Sequence, residues 1–159
     1  MGKEIERKFL VTGNAWRKGG SNEYRQGYLS IDKERTVRVR IAGDTAFLTV
    51  KGITEGATRA EYEYPIPVAD AKAMLESLCL RPLIEKRRYR VQHGGMTWEI
   101  DEFLGENAGL VVAEIELVNA QQPFDKPAWV GEEVTSDPRF YNASLVARPY
   151  STWEQPLPC

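Results

Sequence analysis

Hydrophobic and charged residues alternate along most of this chain, a pattern typical of β-strands with one face in an apolar layer. In the first such segment, residues 3–11, Glu4, Glu6 and Lys8 share one side of the predicted strand, and the hydrophobic residues take the other. The same alternation predicts seven further strands, at residues 24–31, 36–41, 46–51, 59–66, 83–92, 97–103 and 110–118. Short turns join most neighbours, so the sheet is predicted to be mainly antiparallel.

Helical spacing of apolar residues appears in three places. Residues 68–80 change from period two to helical period, and Pro82 ends this helix. Residues 127–134 and 139–147 are also predicted to be helices, and a short turn around Trp16 is a further cover for the strands.

The fold class that follows is α+β and mainly β. Eight antiparallel strands can close into a barrel, which removes exposed strand edges. We expect a single domain over residues 1–159, with a core at about 2–147 and a loosely ordered tail at about 149–159.

The polar side of the predicted strands is almost wholly ionisable. Acids dominate the first, fifth, seventh and eighth strands, and bases dominate the third, fourth and sixth. We therefore infer a barrel with its hydrophobic side outward, under the helices, and its charged side inward. Because each buried ion carries a desolvation cost of several kcal/mol, the interior is expected to be a wet tunnel that binds charged ligands. Arg and Lys suit phosphate oxygens, and clustered carboxylates suit Mg²⁺ or Mn²⁺.

The composition of the chain excludes some classes of binding partner. The 159 residues carry a net charge of −2, which argues against a nucleic-acid surface. The N-terminus is charged at once, and no stretch approaches the roughly 20 apolar residues of a membrane span. The two cysteines suit a reducing compartment. We expect a soluble cytoplasmic protein with a small-molecule polyanion as its partner and no nucleic-acid or membrane partner, and a homodimer is left open.

The N-terminal Glu4-x-Glu6-x-Lys8 resembles the ExExK signature of the CYTH superfamily, the triphosphate tunnel metalloenzymes. The resemblance covers roughly residues 2–118, with weaker support to Leu145, and implies a closed eight-stranded antiparallel tunnel that acts on phosphoryl substrates with Mg²⁺ or Mn²⁺. It continues in family order through Tyr28-Leu29, Arg38-Val39-Arg40, Thr49-Val50-Lys51, Glu61-Tyr62-Glu63, Lys86-Arg87-Arg88, Glu99-Ile100-Asp101 and Glu114-Ile115-Glu116.

The resemblance also implies roles for individual residues. The implied metal ligands are Glu4, Glu6, Glu114 and Glu116, supported by Glu61, Glu63 and Asp101. The implied phosphate-binding residues are Lys8, Arg38, Arg40, Lys51, Lys86 and Arg88. Arg59 either binds phosphate or neutralises the neighbouring glutamates. Tyr28 and Lys8 are candidates for the base near an attacking water, with a structural or phosphate-donating role for Tyr28 equally open.

The favoured function is metal-dependent hydrolysis of inorganic triphosphate or a nucleoside triphosphate to release orthophosphate. No adenine pocket is evident in the sequence, which disfavours the alternative of a class IV-type adenylate cyclase. Thiamine triphosphatase and a non-catalytic polyphosphate- or nucleotide-binding module stay open. In the region of residues 139–145 the family often has a Ser-Tyr pair, which this sequence lacks. The lid of the tunnel is therefore left undefined.

Overall fold

The computed structural model describes residues 2–153, and about half of them lie in β-strands. The strands are β1 (Lys3–Val11), β2 (Ser21–Asp32), β3 (Arg35–Ala42), β4 (Thr45–Gly52), β5 (Thr58–Ile66), β6 (Ile84–His93), β7 (Met96–Phe103), β8 (Val111–Glu116) and β9 (Val130–Glu133). The helices in this part of the chain are α1 (Val68–Ser77) and α2 (Asn142–Ala147), with 3₁₀ turns at Gly105–Asn107, Pro138–Phe140 and Tyr150–Thr152. None of these helices has the length and apolar character needed to cross a membrane.

Eight of the strands form a closed ring. Its order is β1-β5-β4-β3-β2-β6-β7-β8, and each neighbouring pair is antiparallel. The ring closes where Lys3–Ile5 of β1 pair with residues 58–60 of β5. Closure gives partners to backbone groups that would otherwise form two free edges. The predicted eight-stranded antiparallel barrel is thus confirmed.

The ninth strand completes the edge of β1. Because β5 reaches only Lys3–Ile5, the backbone around Phe9 has no ring neighbour on that side. β9 takes this place, and Phe9 pairs with Glu133. The helix predicted at residues 127–134 is therefore wrong. Local helical spacing is outweighed here by the hydrogen bonds that an open strand edge offers.

The hydrophobic core lies outside the barrel, between the strands and the segments that cover them. On one side Trp98 is fully buried next to Phe9, with ring centroids 5.6 Å apart, and the turn containing Trp16 covers the same cluster. On the β3–β4 side, α1 inserts Ala71 and Leu75, both fully buried. The predicted outward hydrophobic side with helices packed on it is confirmed.

Two outer regions differ from the sequence prediction. Tyr62 and Tyr64 of β5 are 51% and 56% exposed, because α1 packs on β3 and β4 and leaves the outer face of β5 open. The helix predicted at 139–147 is wrong for its first half. Tyr141 is extended, with ψ of 133°, so α2 begins only at the next residue.

The C-terminal segment is more ordered than predicted as far as Trp153. Its ring lies 5.4 Å from that of Phe140 and 5.0 Å from that of Tyr150. Edge-to-face contacts between these aromatic rings hold the segment on the barrel. The rest of the predicted tail, residues 154–159 with Cys159, lies outside the described residues.

Candidate active site

A cavity of about 550 Å³ lies inside the barrel and is lined mainly by charged side chains. Asp101 does not line it but lies behind its wall, 1% exposed. All other site residues predicted from the sequence line the cavity, namely Glu4, Glu6, Lys8, Tyr28, Arg38, Arg40, Lys51, Arg59, Glu61, Glu63, Lys86, Arg88, Glu114 and Glu116. The charged interior is confirmed, and the individual roles of these residues stay predictions.

Strand register brings the inward side chains together in rows across the ring. A shift of one residue in any strand would turn its whole set outward, so the register fixes the site. The directly opposed pairs are Arg88 and Asp101, Lys8 and Glu114, Glu6 and Glu116, Lys51 and Glu61, Arg38 and Thr49, and Arg40 and Gln26.

Asp101 holds two cations in place. It accepts hydrogen bonds from Lys86 Nζ at 2.7 Å and from Arg88 Nε and Nη2 at 2.7 and 2.9 Å. Burial alone would raise the pKa of Asp101, but the charges of Arg88 and Lys86 outweigh burial and hold its pKa far below the ordinary value. Both carboxylate oxygens are thus already occupied by cations of the protein.

Around Asp101 the basic groups are in excess. Burial lowers the pKa of Lys86 to about 7 in spite of Asp101, and the charges of Arg88 and Arg40 add to this effect. Burial, together with Arg38 and Arg88, lowers the pKa of Arg40 to about 10. Within residues 2–153, Nε of Arg38 is buried without a hydrogen-bond partner. On this side of the cavity, the cationic side chains therefore outnumber the carboxylates.

The opposite side of the ring, formed by β8, β1 and β5, has an excess of acids. Glu6 and Glu116 face each other directly across β1 and β8. Burial raises the pKa of Glu6 well above its ordinary value, and the charges of Glu114 and Glu4 add to the shift. Burial and the charge of Glu4 also raise the pKa of Glu116 and of Glu61. On this side of the cavity, the carboxylates therefore outnumber the cationic side chains.

Lys51 offsets part of this negative charge by bridging two carboxylates. Its Nζ lies 3.1 Å from Glu4 Oε1 and 3.4 Å from Glu61 Oε2. In this arrangement, no three Asp, Glu, His or Cys side chains of residues 2–153 already form a metal cage.

Lys8 contributes a second positive charge on the acidic side. Its Nζ lies 3.5 Å from Glu114 Oε2. Burial would lower the pKa of Lys8, but the carboxylates, Glu114 first, outweigh burial and raise it. For Glu114 burial is likewise outweighed, mainly by Lys8, and its pKa falls to about 2. Lys8 is therefore a proton-bearing cation at neutral pH.

Arg38 connects the basic and acidic sides of the cavity. Its Nη2 lies 3.3 Å from Glu63 Oε2, and the Thr49 hydroxyl donates to the same carboxylate at 2.8 Å. Arg59 is held less directly, because it donates to the carbonyl of Gly52 at 3.2 Å and to the Thr36 hydroxyl at 3.3 Å.

Sequence analysis missed the contribution of the segment around α2. Tyr141 places its ring 5.4 Å from Lys8 Nζ. The Oδ1 atom of Asn142 accepts hydrogen bonds from Lys86 Nζ at 3.0 Å and from Gln26 Nε2 at 3.1 Å. No alternation or charge run marks this segment, and its only signal in the sequence was its place after the last strand, where a lid was left undefined.

Comparison with known proteins identifies the family. The family model of the CYTH domain matches residues 2–150. The chain belongs to the CYTH domain family. The resemblance found in the ExExK signature is thereby confirmed, and it extends beyond residue 118 to the segment that carries α2.

Two relatives are similar to this CYTH domain over nearly their full lengths. An inorganic triphosphatase from Acetivibrio thermocellus is 54% identical over 156 residues, covering 98% of this chain and 100% of the relative. An inorganic triphosphatase from Nitrosomonas europaea is 37% identical over 146 residues, covering 89% of this chain and 95% of the relative.

Solved structures share the fold. The crystal structure of an inorganic triphosphatase matches with a TM-score of 0.64 and 35% identity, covering 89% of this chain and 96% of that one. A putative adenylate cyclase from Bacillus halodurans matches with a TM-score of 0.59 and 17% identity, covering 75% and 83%. The second likeness supports the barrel fold alone.

Proposed function

We propose that this CYTH domain is a metal-dependent triphosphatase that hydrolyses inorganic triphosphate inside its barrel. The observation that carries the proposal is the separation of charge in one cavity, whose basic side is lined by Arg38, Arg40, Lys86 and Arg88 and whose acidic side is lined by Glu4, Glu6, Glu114 and Glu116. A polyphosphate bound with a divalent cation is complementary to both sides. The two inorganic triphosphatases that resemble the whole chain support the same substrate.

The basic side is suited to the phosphate groups. The unpartnered Nε of Arg38 and the excess of cations around Lys86 favour phosphate oxygens as ligands. We assign phosphate binding to Lys8, Arg38, Arg40, Lys51, Arg59, Lys86 and Arg88. Because Asp101 lies outside the cavity and both its oxygens bind cations, we assign it to positioning Lys86 and Arg88 and no longer to the metal.

The acidic side fits a hard divalent cation. Its donor atoms are carboxylate oxygens, which Mg²⁺ and Mn²⁺ prefer, and burial and the neighbouring carboxylates raise the pKa values of Glu6 and Glu116. Glu4, Glu6, Glu114 and Glu116 would hold the metal, with Glu61 and Glu63 near them. When bound, the metal supplies neutralisation of phosphate charge and activation of water.

The protein's own groups would act mainly by positioning and charge neutralisation, as phosphoryl transfer requires. Lys8 keeps its proton at neutral pH, so it suits donation to a phosphate oxygen better than removal of a proton from water. Tyr28 is buried, and its Oη lies 3.5 Å from Gln26 Nε2, which suits a hydroxyl that orients a ligand or a water. Unchanged turnover in Tyr28→Phe would exclude Tyr28 from the reaction.

The test is an assay of orthophosphate release from tripolyphosphate with Mg²⁺, with Mn²⁺ and with EDTA. We expect activity with a metal and none with EDTA. Glu116→Gln should abolish activity, whereas Glu106→Gln, a matched change on the outer surface, should not alter it. Parallel reactions with ATP, thiamine triphosphate and pyrophosphate define the substrate. Formation of cyclic AMP from ATP, or binding of tripolyphosphate without turnover, would refute the proposal.

A further inference from the structure

Asn142 of α2 is a neutral residue that contacts Lys86 and Gln26 on the basic side of the cavity. Its Oδ1 accepts from Lys86 Nζ at 3.0 Å and from Gln26 Nε2 at 3.1 Å. An ammonium group can only donate, so the carbonyl end of the Asn142 amide must face Lys86. The NH₂ end consequently points away from Lys86, and the residue lines the cavity.

Through Gln26, the same hydrogen bonds also reach a second cation, Arg40. Gln26 is fully buried, and its Oε1 accepts from Arg40 Nε at 2.9 Å. Nε2 of Gln26 donates to Asn142 at 3.1 Å and more weakly to the Tyr28 hydroxyl at 3.5 Å, so Asn142 helps to fix the orientation of the Gln26 amide and, with it, that of Arg40. One side chain of α2 therefore influences cations on both β6 and β3.

Anchoring α2 does not require these contacts. Leu145 and Val146 are 0% and 5% exposed and pack α2 into the hydrophobic cluster outside the barrel. Asn142 is a polar residue of intermediate exposure, and its carbonyl oxygen accepts from an ammonium that already has Asp101 as its partner.

We propose that Asn142 is a positioning residue of the triphosphate site, which orients Lys86 and, through Gln26, Arg40 toward the phosphates without cancelling their charge. The inference rests on the proposed function for the class of ligand, a polyphosphate anion. An aspartate at this position could also hold Lys86, but it would place a negative charge against that anion. The requirement is therefore for an uncharged acceptor.

The experiment measures binding of sodium tripolyphosphate in EDTA by calorimetry, with the full chain, so that no metal or turnover contributes. Asn142→Ala should weaken binding about 10-fold, since a hydrogen bond to a charged group contributes about 1.5 kcal/mol or more. Asn142→Asp should weaken it further, although it keeps an oxygen acceptor for Lys86. Asn14→Ala, a change of the same residue type on the exposed surface, should bind as the wild type does.

The order of the dissociation constants separates positioning from a merely structural role. Equal affinity of wild type and Asn142→Asp, or an unchanged Asn142→Ala, would overturn the inference, whatever the melting temperatures. If Asn142→Asp does not fold by circular dichroism, Asn142→Ala alone decides. Wild-type binding without phosphate release on adding Mg²⁺ or Mn²⁺ would refute the proposed function and leave this inference intact. Absence of wild-type binding would refute the inference itself.

Discussion

Substitution of Asp101 by Asn tests how the barrel tolerates its buried cations. The change removes one negative charge and keeps the shape of the side chain. Lys86 and Arg88 are 1% and 7% exposed, so neither can move its charge into water without opening the barrel. An amide also turns an NH₂ group toward one of these donors, where the wild type accepts hydrogen bonds at 2.7–2.9 Å.

The size of the effect follows from what remains around the two cations. Removal of one partner from a buried ion pair costs about 3–5 kcal/mol. Arg88 keeps Glu99 at 3.3 Å and Glu114 at 3.4 Å, whereas Lys86 keeps only the neutral Asn142. Since half of the cluster retains carboxylates, we expect a loss near the lower limit, about 3 kcal/mol in the free energy of unfolding.

The assay is urea unfolding followed by tryptophan fluorescence at pH 7.5 in EDTA, which excludes any contribution of a bound metal. The matched control is Glu102→Gln on the same strand. Glu102 pairs at 2.7 Å with Arg17, whose side chain is 42% exposed, so this loss should stay under about 1 kcal/mol. A loss for Asp101→Asn no larger than that of the control would refute the view that Asp101 holds the cations.

Two further substitutions and a pH series on Asp101→Asn are tested by urea unfolding in EDTA. Gly27→Ala should cost about 1–3 kcal/mol, because its Cβ would lie 2.8 Å from that of Cys79, whereas Gly20→Ala, with open space around it, should change stability by under about 0.5 kcal/mol. Glu6→Gln should stabilise the protein at pH 8 by about 0.2–1 kcal/mol, because it removes a like charge facing its cross-strand partner; a loss of stability would contradict the charge excess. The pKa of Asp101 is lowered by folding, so its stabilising effect is present above the unfolded pKa of about 3.9 and is lost as pH falls below it. The stability gap between wild type and Asp101→Asn should accordingly shrink below about pH 4, and a gap that stays constant would contradict this reasoning.

The barrel could be predicted because a period-two pattern assigns alternate side chains to the two faces of a strand. The alternation in β8 alone predicts that Glu114 and Glu116 share one face and that Ile115 lies on the other. Eight strands of this kind are enough to close a barrel. The same alternation predicted which side chains line the cavity, because in a closed barrel the inward-facing side chains of all strands surround one interior space. Asp101 shares this parity, and only the three-dimensional contacts reveal that cations cover it.

What the sequence did not reveal depends on contacts between distant segments. β9 forms because β5 ends its pairing early along β1, a consequence of strand stagger that no local pattern encodes. Asn142 gains its partners from β2 and β6, more than 50 residues away in each case. A single neutral amide in an irregular segment has no distinguishing periodicity or charge, so its position could be found only from the fold.

The charge arrangement explains why a small net charge conceals a strongly polarised interior. The acids of β1 and β8 and the bases of β6 and β3 are grouped on different parts of the ring, so they compensate one another only in part, through ion pairs such as that of Arg88 and Glu114 at 3.4 Å. Each imbalance opposes folding, and the outward hydrophobic clusters around Trp98, Leu75 and Leu145 supply the free energy that offsets it. A complex of a divalent cation with a polyphosphate would relieve both imbalances in one binding event. For that reason the features that make the empty barrel less stable are the same features that favour this class of ligand.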